Sequence, residues 1–445
     1  MTATAPDPSV EAVAAQAEVI DILRDLIRID TTNDGTDTGP GEAAAAEYVE
    51  ASLTEAGLEV ERFSTTSSRR QGVVARIPGS DPSRPRLLLH GHLDVVPARA
   101  SHWSVPPFAA EVLDDMVWGR GAVDMKDMDA MLIALARAWS RSGQRPSRDL
   151  VFLFIPDEEA GGQHGSHWIV DHRPDILEGV SEGVSEVGGF SLTLPDDRRL
   201  YLIQTAEKGI AWMRLVAEGT AGHGSALTGD NAVTEVAAAV TRIGQHRWPV
   251  KLSPTARHMV SAISQAYGIE LDLEDPESLT RQLGPVARFI GAGTRNTTNP
   301  TMLEAGYKAN VIPADATAVV DGRYVPGEEH AFLMEIDRLL GPTVRREFIN
   351  HDVALEASYD VPLVDAMRAA LDAEDPGAAV APYLLSAGTD AKAFSRLGVH
   401  GYGFSPLRLP PDLDFTALFH GVDERVPIDA VHFGVRTLDR FLRLA

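Results

Sequence analysis

The sequence predicts an α/β protein built from two domains. Its 445 residues exceed what one hydrophobic core comfortably holds. Two continuous apolar runs, at residues 87–89 and 150–155, are typical of buried central strands, and each leads into polar residues. Open α/β sheets place their active sites at the carboxyl ends of such strands. From about residue 207 to 355 the pattern changes to a compact β-α-β-β unit, which indicates a second domain inserted into the first.

The first domain, residues 1–206 and 356–445, alternates helical and strand patterns. Apolar residues at helical spacing predict helices at residues 10–29, 43–56, from about 125, at 361–373 and at 427–444. Short apolar stretches predict strands at residues 58–63, 72–77, 86–90, 150–155, 200–205 and 381–385. Gly57 is well placed to end the second helix as a C-terminal cap.

The inserted domain, residues 207–355, is predicted to be smaller and α+β. Its strands are predicted at residues 210–217, 289–305, 311–320 and 344–349. Its helices are predicted at residues 231–243 and 328–340. A polar, acidic segment at residues 267–281 is interpreted as an insertion.

Composition excludes several classes of partner and site. The formal net charge of −24 argues against nucleic acid and against anionic membranes. The chain contains no cysteine, so a metal site must use histidine, aspartate and glutamate. The N-terminus has no basic region followed by an apolar run, and no apolar stretch reaches 18 residues. A cytoplasmic protein without a membrane partner is therefore expected.

The first apolar run leads directly into His92 and Asp94. An imidazole can bind a metal ion through one nitrogen while a carboxylate holds the other, which fixes the tautomer and the ring orientation. A histidine at a strand end is also commonly a structural residue. The pair by itself leaves both interpretations open.

Acidic residues mark two further positions. Asp124 lies where a helix begins, and aspartate is a common N-cap residue. Asp157, Glu158 and Glu159 follow the second apolar run and stand beside glycines rather than lysines. Three acids at the end of a buried strand are costly unless cations or protons compensate their charge. A solvated acidic turn is the alternative.

Five motifs in order resemble the M20 metallopeptidases. They are His92-Leu-Asp94, Gly119-Arg-Gly-Ala-Val-Asp124-Met-Lys126, Asp157-Glu158-Glu159-Ala-Gly-Gly, Ser185-Glu186-Val-Gly-Gly and His420-Gly-Val-Asp-Glu424. The resemblance covers nearly the whole chain. That family includes acetylornithine deacetylases, succinyl-diaminopimelate desuccinylases, aminoacylases and glutamate-releasing carboxypeptidases. It implies a zinc-peptidase-like α/β/α catalytic domain with a mixed sheet, and an inserted α+β domain that serves as lid and dimerisation surface.

The resemblance implies two zinc ions in each chain. His92 and Glu186 would bind one ion, Glu159 and His420 would bind the other, and Asp124 would bridge them. Nitrogen and carboxylate oxygen suit zinc, and cobalt or manganese would fit the same ligands. Two nearby dications would also explain why four acids gather without becoming protonated.

Catalytic roles are implied for three residues. Glu158 would be the general base, which takes a proton from water and later hands it to the departing nitrogen. Asp94 would orient His92 without touching metal. His223 would stabilise the tetrahedral oxyanion. Because this histidine acts across a dimer interface in many relatives, a homodimer is predicted. The alternative for His223 is a turn residue.

Substrate contacts are implied for Asn310, Arg323 and Thr389. The first two resemble positions that hold a substrate carboxylate, for which a planar guanidinium gives bidentate recognition. Pairing of Arg323 with a structural acid is the alternative. Thr389 lies in a Gly-Thr-Asp turn that matches a family element near the substrate.

The predicted function is hydrolysis of a peptide or N-acyl amide bond next to a free carboxylate, by a metal-dependent enzyme of carboxypeptidase or aminoacylase type. The expected substrate is a small peptide or an N-acyl amino acid. A biosynthetic deacylase acting on acetylornithine or a succinylated diamino acid is the alternative. A catalytically silent binding protein on the same scaffold is a remote one, because Glu158 and all the metal ligands are present.

Overall fold

The structure, a computed structural model, describes residues 7–36, 38–194, 197–283 and 287–445. The strands are β1 (Val60–Ser64), β2 (Gln71–Ile77), β3 (Arg86–His92), β4 (Glu111–Leu113), β5 (Met116–Trp118), β6 (Leu150–Ile155), β7 (Val180–Ser185), β8 (Ser191–Thr193), β9 (Arg199–Glu207), β10 (Gly209–Glu218), β11 (Gly222–His223), β12 (Thr297–Ala305), β13 (Val311–Ile312), β14 (Asp315–Tyr324), β15 (Val344–Asp352), β16 (Leu355–Glu356), β17 (Ala379–Leu385), β18 (His400–Gly403) and β19 (Arg425–Pro427). The helices are α1 (Val10–Arg28), α2 (Ala43–Glu55), α3 (Lys126–Ser142), α4 (Ser166–His172), α5 (Ala232–Gln245), α6 (Pro254–Tyr267), α7 (Pro276–Leu283), α8 (Ala287–Gly293), α9 (Glu329–Leu340), α10 (Pro362–Glu374), α11 (Ala391–Ser395) and α12 (Ile428–Leu444).

The larger sheet is mixed and is covered on both faces. Its strand order is β1-β2-β6-β3-β7-β18-β9-β16, with β17 and β8 also paired to β9. The central pairs β3–β6, β3–β7 and β7–β18 are parallel. In β6, alternate residues from Leu150 join the core under α1, α3 and α12, and those from Val151 join the core under α4 and α11. Burial on both faces explains why this strand is apolar throughout.

The smaller sheet is antiparallel, and within the described part of the chain its helices lie on one face. Its order is β12-β14-β10-β15. Ala211, Met213 and Leu215 of β10 pack against α5 and α9, while Trp212 and Arg214 line a cavity on the opposite face. The predicted two-domain α/β class, with a mixed sheet and an α+β insertion, is thus confirmed.

One part of the inserted region differs from its prediction. Residues 289–305 were expected to be a strand, but α8 ends at Gly293 and β12 begins only at Thr297. Helices α6 to α8 were not predicted. Apolar side chains of these helices, including Met259 and Ile263, pack in the core of the larger sheet and not in that of the smaller one. The predicted boundaries at 207 and 355 remain a prediction.

Among the described residues, two links join a strand of the larger sheet directly to a strand of the smaller one, and one lysine contacts both links. The Lys392 ammonium donates to the carbonyl of Lys208 at 2.8 Å and to the carbonyl of Val353 at 2.6 Å. It also lies 3.4 Å from the fully buried carboxylate of Glu207. The residues that link the sheets are therefore fixed to α11, directly after the Gly388-Thr-Asp390 turn.

Candidate active site

The topology brings the strand-end motifs to one edge of the larger sheet. His92 ends β3, Glu158 and Glu159 follow β6, and Glu186 follows β7. Because β6, β3 and β7 are neighbours and run parallel, their carboxyl ends meet at that edge. Asp124 arrives just before α3, whose first 14 residues are all buried.

Five predicted metal ligands form two groups that share one carboxylate. His92 Nε2 lies 3.2 Å from Asp124 Oδ1 and 3.7 Å from Glu186 Oε1. His420 Nε2 lies 3.2 Å from Asp124 Oδ2 and 2.9 Å from Glu159 Oε2. Within each group of three residues, the potential ligand atoms lie within 4.8 Å of one another. Asp124 thus directs one oxygen to each group.

The electrostatics of these groups fit divalent cations. Burial, reinforced by the charge of Asp124, raises the pKa of Glu186 to about 8. Hydrogen bonds to Asp124 and Glu159 raise the pKa of His420 to about 10. The buried Glu159 Oε1 has no hydrogen-bond partner among the described residues. The raised pKa values mean that protons compensate the negative charge of the three carboxylates beside the two imidazoles. Two bound cations would compensate the same charge.

Asp94 contacts His92, as predicted, and it also contacts the acidic turn at residues 158–159, which was not predicted. His92 Nδ1 lies 2.9 Å from the backbone carbonyl of Asp94 and 3.5 Å from its carboxylate, which leaves Nε2 facing the cluster. The carboxylate of Asp94 accepts hydrogen bonds from the backbone amides of Glu158 and Glu159, each at 3.1 Å. The closer contact that orients His92 is thus the carbonyl, while the carboxylate holds the acidic turn.

Glu158 lies beside the metal ligands in a cavity of about 170 Å³. Burial raises its pKa well above the usual value, and the charge of His92 only partly opposes this. The cavity lies between the two sheets and is lined by Glu158, Glu159, Gly161, Gly162, Ser166, His167, Ile210, Trp212, Arg323, Asn350, Asp352, Ala387, Gly388, Thr389, Asp390, Lys392 and His420.

Two of the three predicted substrate residues line this cavity, and both already have protein partners. Arg323 donates from Nε and Nη2 to Asp321, at 2.7 and 3.2 Å, and its guanidinium lies over the ring of Trp212. The Thr389 hydroxyl donates to Glu207 at 2.6 Å. Arg323 therefore does pair with an acid of the protein, as the alternative interpretation expected. This pair with Asp321 fixes the guanidinium at the cavity wall.

His223 and Asn310 lie together but away from the cavity lining. Both are exposed, and His223 in β11 pairs with Val311 in β13. His223 Nδ1 lies 2.8 Å from the hydroxyl of Ser225. The structure thus brings Arg323 and Thr389 into one cavity with Glu158, Glu159 and His420, and places His223 and Asn310 on a separate surface of the same chain.

Glu424 has a structural role that the sequence analysis did not assign. Its buried carboxylate accepts from Arg120 at 2.6 Å and from three backbone amides in the loop that leads to Asp124, at 2.7 to 3.2 Å. The signal in the sequence was the position of Glu424 at the end of the His420-Gly-Val-Asp-Glu424 motif. His167, for which the sequence analysis assigned no role, lines the cavity and lies 3.6 Å from Asp352.

Residues 88–444 match peptidase family M20/M25/M40. The chain belongs to this family. Among curated M20 relatives, aminoacylase-1 of Sus scrofa is 27% identical over 416 residues, which cover 92% of this chain and 90% of that protein. The N-fatty-acyl-amino acid synthase/hydrolase PM20D1 of Homo sapiens is 29% identical over 388 residues, covering 83% and 76%.

Solved M20 structures share the fold. A metallo-carboxypeptidase of Sulfolobus solfataricus superposes with a TM-score of 0.72 at 18% identity, covering 96% of this chain and 99% of that one. A dinuclear metal-binding peptidase of Bacillus subtilis gives 0.61 at 14%, covering 97% and 98%. The predicted family and enzyme class are confirmed, and the chain is a metal-dependent hydrolase. Within the described ranges, no helix has the length and apolar character that a membrane span requires.

Proposed function

We propose that this M20 protein is a two-zinc hydrolase that cleaves a peptide or N-acyl amide bond next to a free carboxylate. The observation that carries the proposal is the position of Glu158, which lines one cavity together with Arg323 and with Glu159 and His420 of one ligand group. His92, Glu186, Glu159 and His420 would hold the ions, with Asp124 shared. Bound ions would polarise the scissile carbonyl and acidify a water.

The remaining steps belong to side chains. Glu158 takes the proton of the attacking water and delivers it to the departing nitrogen; its raised pKa brings it closer to the range in which a carboxylate can do both. Arg323 holds the substrate carboxylate with the guanidinium N–H groups that Asp321 leaves open. His223 stabilises the oxyanion in the active site of a second subunit. It is exposed and does not line the cavity of its own chain.

The names of the relatives support substrates of the acyl amino acid class, and we propose an aminoacylase or carboxypeptidase activity for this chain. A substrate screen tests this. Protein stripped with a chelator and reloaded separately with zinc, cobalt or manganese is offered dipeptides, N-acetyl amino acids, N-oleoyl amino acids, N-acetylornithine and N-succinyl-diaminopimelate, and released amines are quantified.

We expect metal-dependent release of an amino acid from dipeptides or N-acyl amino acids. Cleavage of N-acetylornithine or N-succinyl-diaminopimelate alone would favour the biosynthetic deacylase. No release with any metal, although two ions bind, would support the silent binding protein and contradict the proposal.

A further inference from the structure

The turn that carries the proposed base has an unusual backbone. Asp157, immediately before Glu158, has a φ of 75°, in the left-handed region that only a small fraction of non-glycine residues occupies. The carboxylate of Asp94 stabilises the turn because it accepts hydrogen bonds from the backbone amides of Glu158 and Glu159. The direction of the Glu158 side chain therefore depends on where the carboxylate of Asp94 lies.

Asn33 fixes the carboxylate of Asp94, and all the hydrogen-bond donors and acceptors of its side-chain amide are used. Its Nδ2 donates to Asp94 Oδ2 at 2.8 Å and to Asp157 Oδ1 at 3.1 Å. Its Oδ1 accepts from the amide of Gly35 and from Arg70, both at 3.1 Å. The buried amide of Asn33 thus links Asp94 to Asp157, the first residue of the turn. Its four hydrogen bonds fix the orientation of the amide.

Arg70 completes the arrangement and supplies its positive charge. The guanidinium lies 2.5 Å from Glu42 and 3.5 Å from Asp157, and only 5% of the residue is exposed. Glu42 is fully buried. Without Arg70, buried acids would face one another across Asn33, and their repulsion would act directly on the turn.

We propose that Asn33 and Arg70 are positioning residues for Glu158. They lock Asp94 and Asp157, and through these two acids they set the backbone of the turn at residues 157–159. This inference rests on the proposed function only for its catalytic consequence, because the effect on the turn can be measured without a substrate.

Hydrogen exchange of the zinc-loaded full chain tests the positioning. In Asn33→Leu, which keeps the volume but not the hydrogen bonds, and in Arg70→Met, we expect the amides of Glu158 and Glu159 to exchange about 10-fold faster than in the wild type. The matched control is Arg148→Met, which removes a buried arginine paired with Glu182 at 2.6 Å, at the amino end of β6. Its turn amides should be unchanged. Equal exchange in all four proteins would overturn the proposal.

Kinetics with a dipeptide or N-acyl amino acid cleaved by the wild type test the consequence. Asn33→Leu and Arg70→Met should lower kcat about 10- to 100-fold with little change in KM and with zinc content retained, whereas Arg148→Met keeps kcat. Faster exchange together with an unchanged kcat would refute the link to catalysis. If the wild type cleaves nothing, the proposed function fails, and the exchange result still decides whether Asn33 and Arg70 hold the turn.

Discussion

Glu158 and Glu159 are adjacent in sequence but have different surroundings. Glu159 directs Oε2 to His420, whereas Glu158 lines the cavity beside the ligand groups. We expect Glu158→Gln to lower kcat at least about 100-fold because the amide cannot accept a proton, while zinc content stays at the wild-type level. Glu159→Gln is the comparison and should lose zinc. Kinetics combined with metal analysis decide the matter, and near-normal turnover in Glu158→Gln would remove the base assignment.

Arg323 makes a separate prediction about binding. Loss of one charge-assisted contact costs about 1.5 to 3 kcal/mol, so Arg323→Met should raise KM about 10- to 100-fold while kcat changes little. Arg214→Met is the matched control, since Arg214 lies on the same face of the smaller sheet but lines a different cavity. Steady-state kinetics on both variants test this. A similar KM in Arg323→Met and Arg214→Met would show that Arg323 serves only Asp321.

Polar groups at the ends of strands were easier to predict than the buried residues that hold them in place. His92 and Asp124 stand out because polar residues at the end of an apolar run, or at the start of a buried helix, need a reason to be there, whereas Glu186 was assigned only through the family resemblance of its motif. Asn33 gave no such signal. Its partners Asp94 and Asp157 lie 61 and 124 residues away, so only the fold shows that they meet.

At the scale of elements, the loop before α3 depends on the buried carboxylate of Glu424. Burial raises the pKa of Glu424 to about 7, against the charge of Arg120. Glu424→Gln keeps the shape but offers only one acceptor oxygen for four donors. We expect the loop to loosen around Asp124 and the affinity for zinc to fall about 10- to 100-fold.

Competition with a chelator measures that affinity. Glu182→Gln is the control, because it weakens another contact to a buried arginine at the opposite end of the sheet strands. Equal zinc affinity in Glu424→Gln and the wild type would show that the loop does not need the carboxylate.

Elements with a clear period were predictable, and those without one were not. The strand β6 and the amphipathic α1 follow directly from their apolar patterns. Helices α6 to α8 lie in a stretch where polar and apolar residues mix, and their burial comes from packing on the larger sheet. That contact joins residues distant in sequence, so local periodicity does not reveal it.

At the scale of the whole molecule, Lys392 joins the two sheets. Lys392→Met would leave the buried Glu207 without its cation and two linker carbonyls without their donor. We expect a loss of about 3 to 5 kcal/mol in the free energy of unfolding. Lys251→Met removes an exposed lysine that lies 3.5 Å from Glu328, and should cost at most about 1 kcal/mol. Urea unfolding compares the two, and equal losses would mean that Lys392 is not a structural link.

The placement of His223 predicts that each active site needs two subunits. His223→Ala should lower kcat about 100- to 1,000-fold, as loss of an oxyanion donor does, and Glu158→Gln should be inactive for its own reason. In a heterodimer of these two variants, the chain that carries His223→Ala keeps its Glu158 and receives the intact histidine of the other chain, so one of the two sites is complete. Co-expression with two affinity tags isolates that heterodimer, and we expect about half of the wild-type activity per dimer, because the second site lacks both groups. If His223 served its own chain instead, neither site of the heterodimer would be complete, and its activity would stay near that of the two parents.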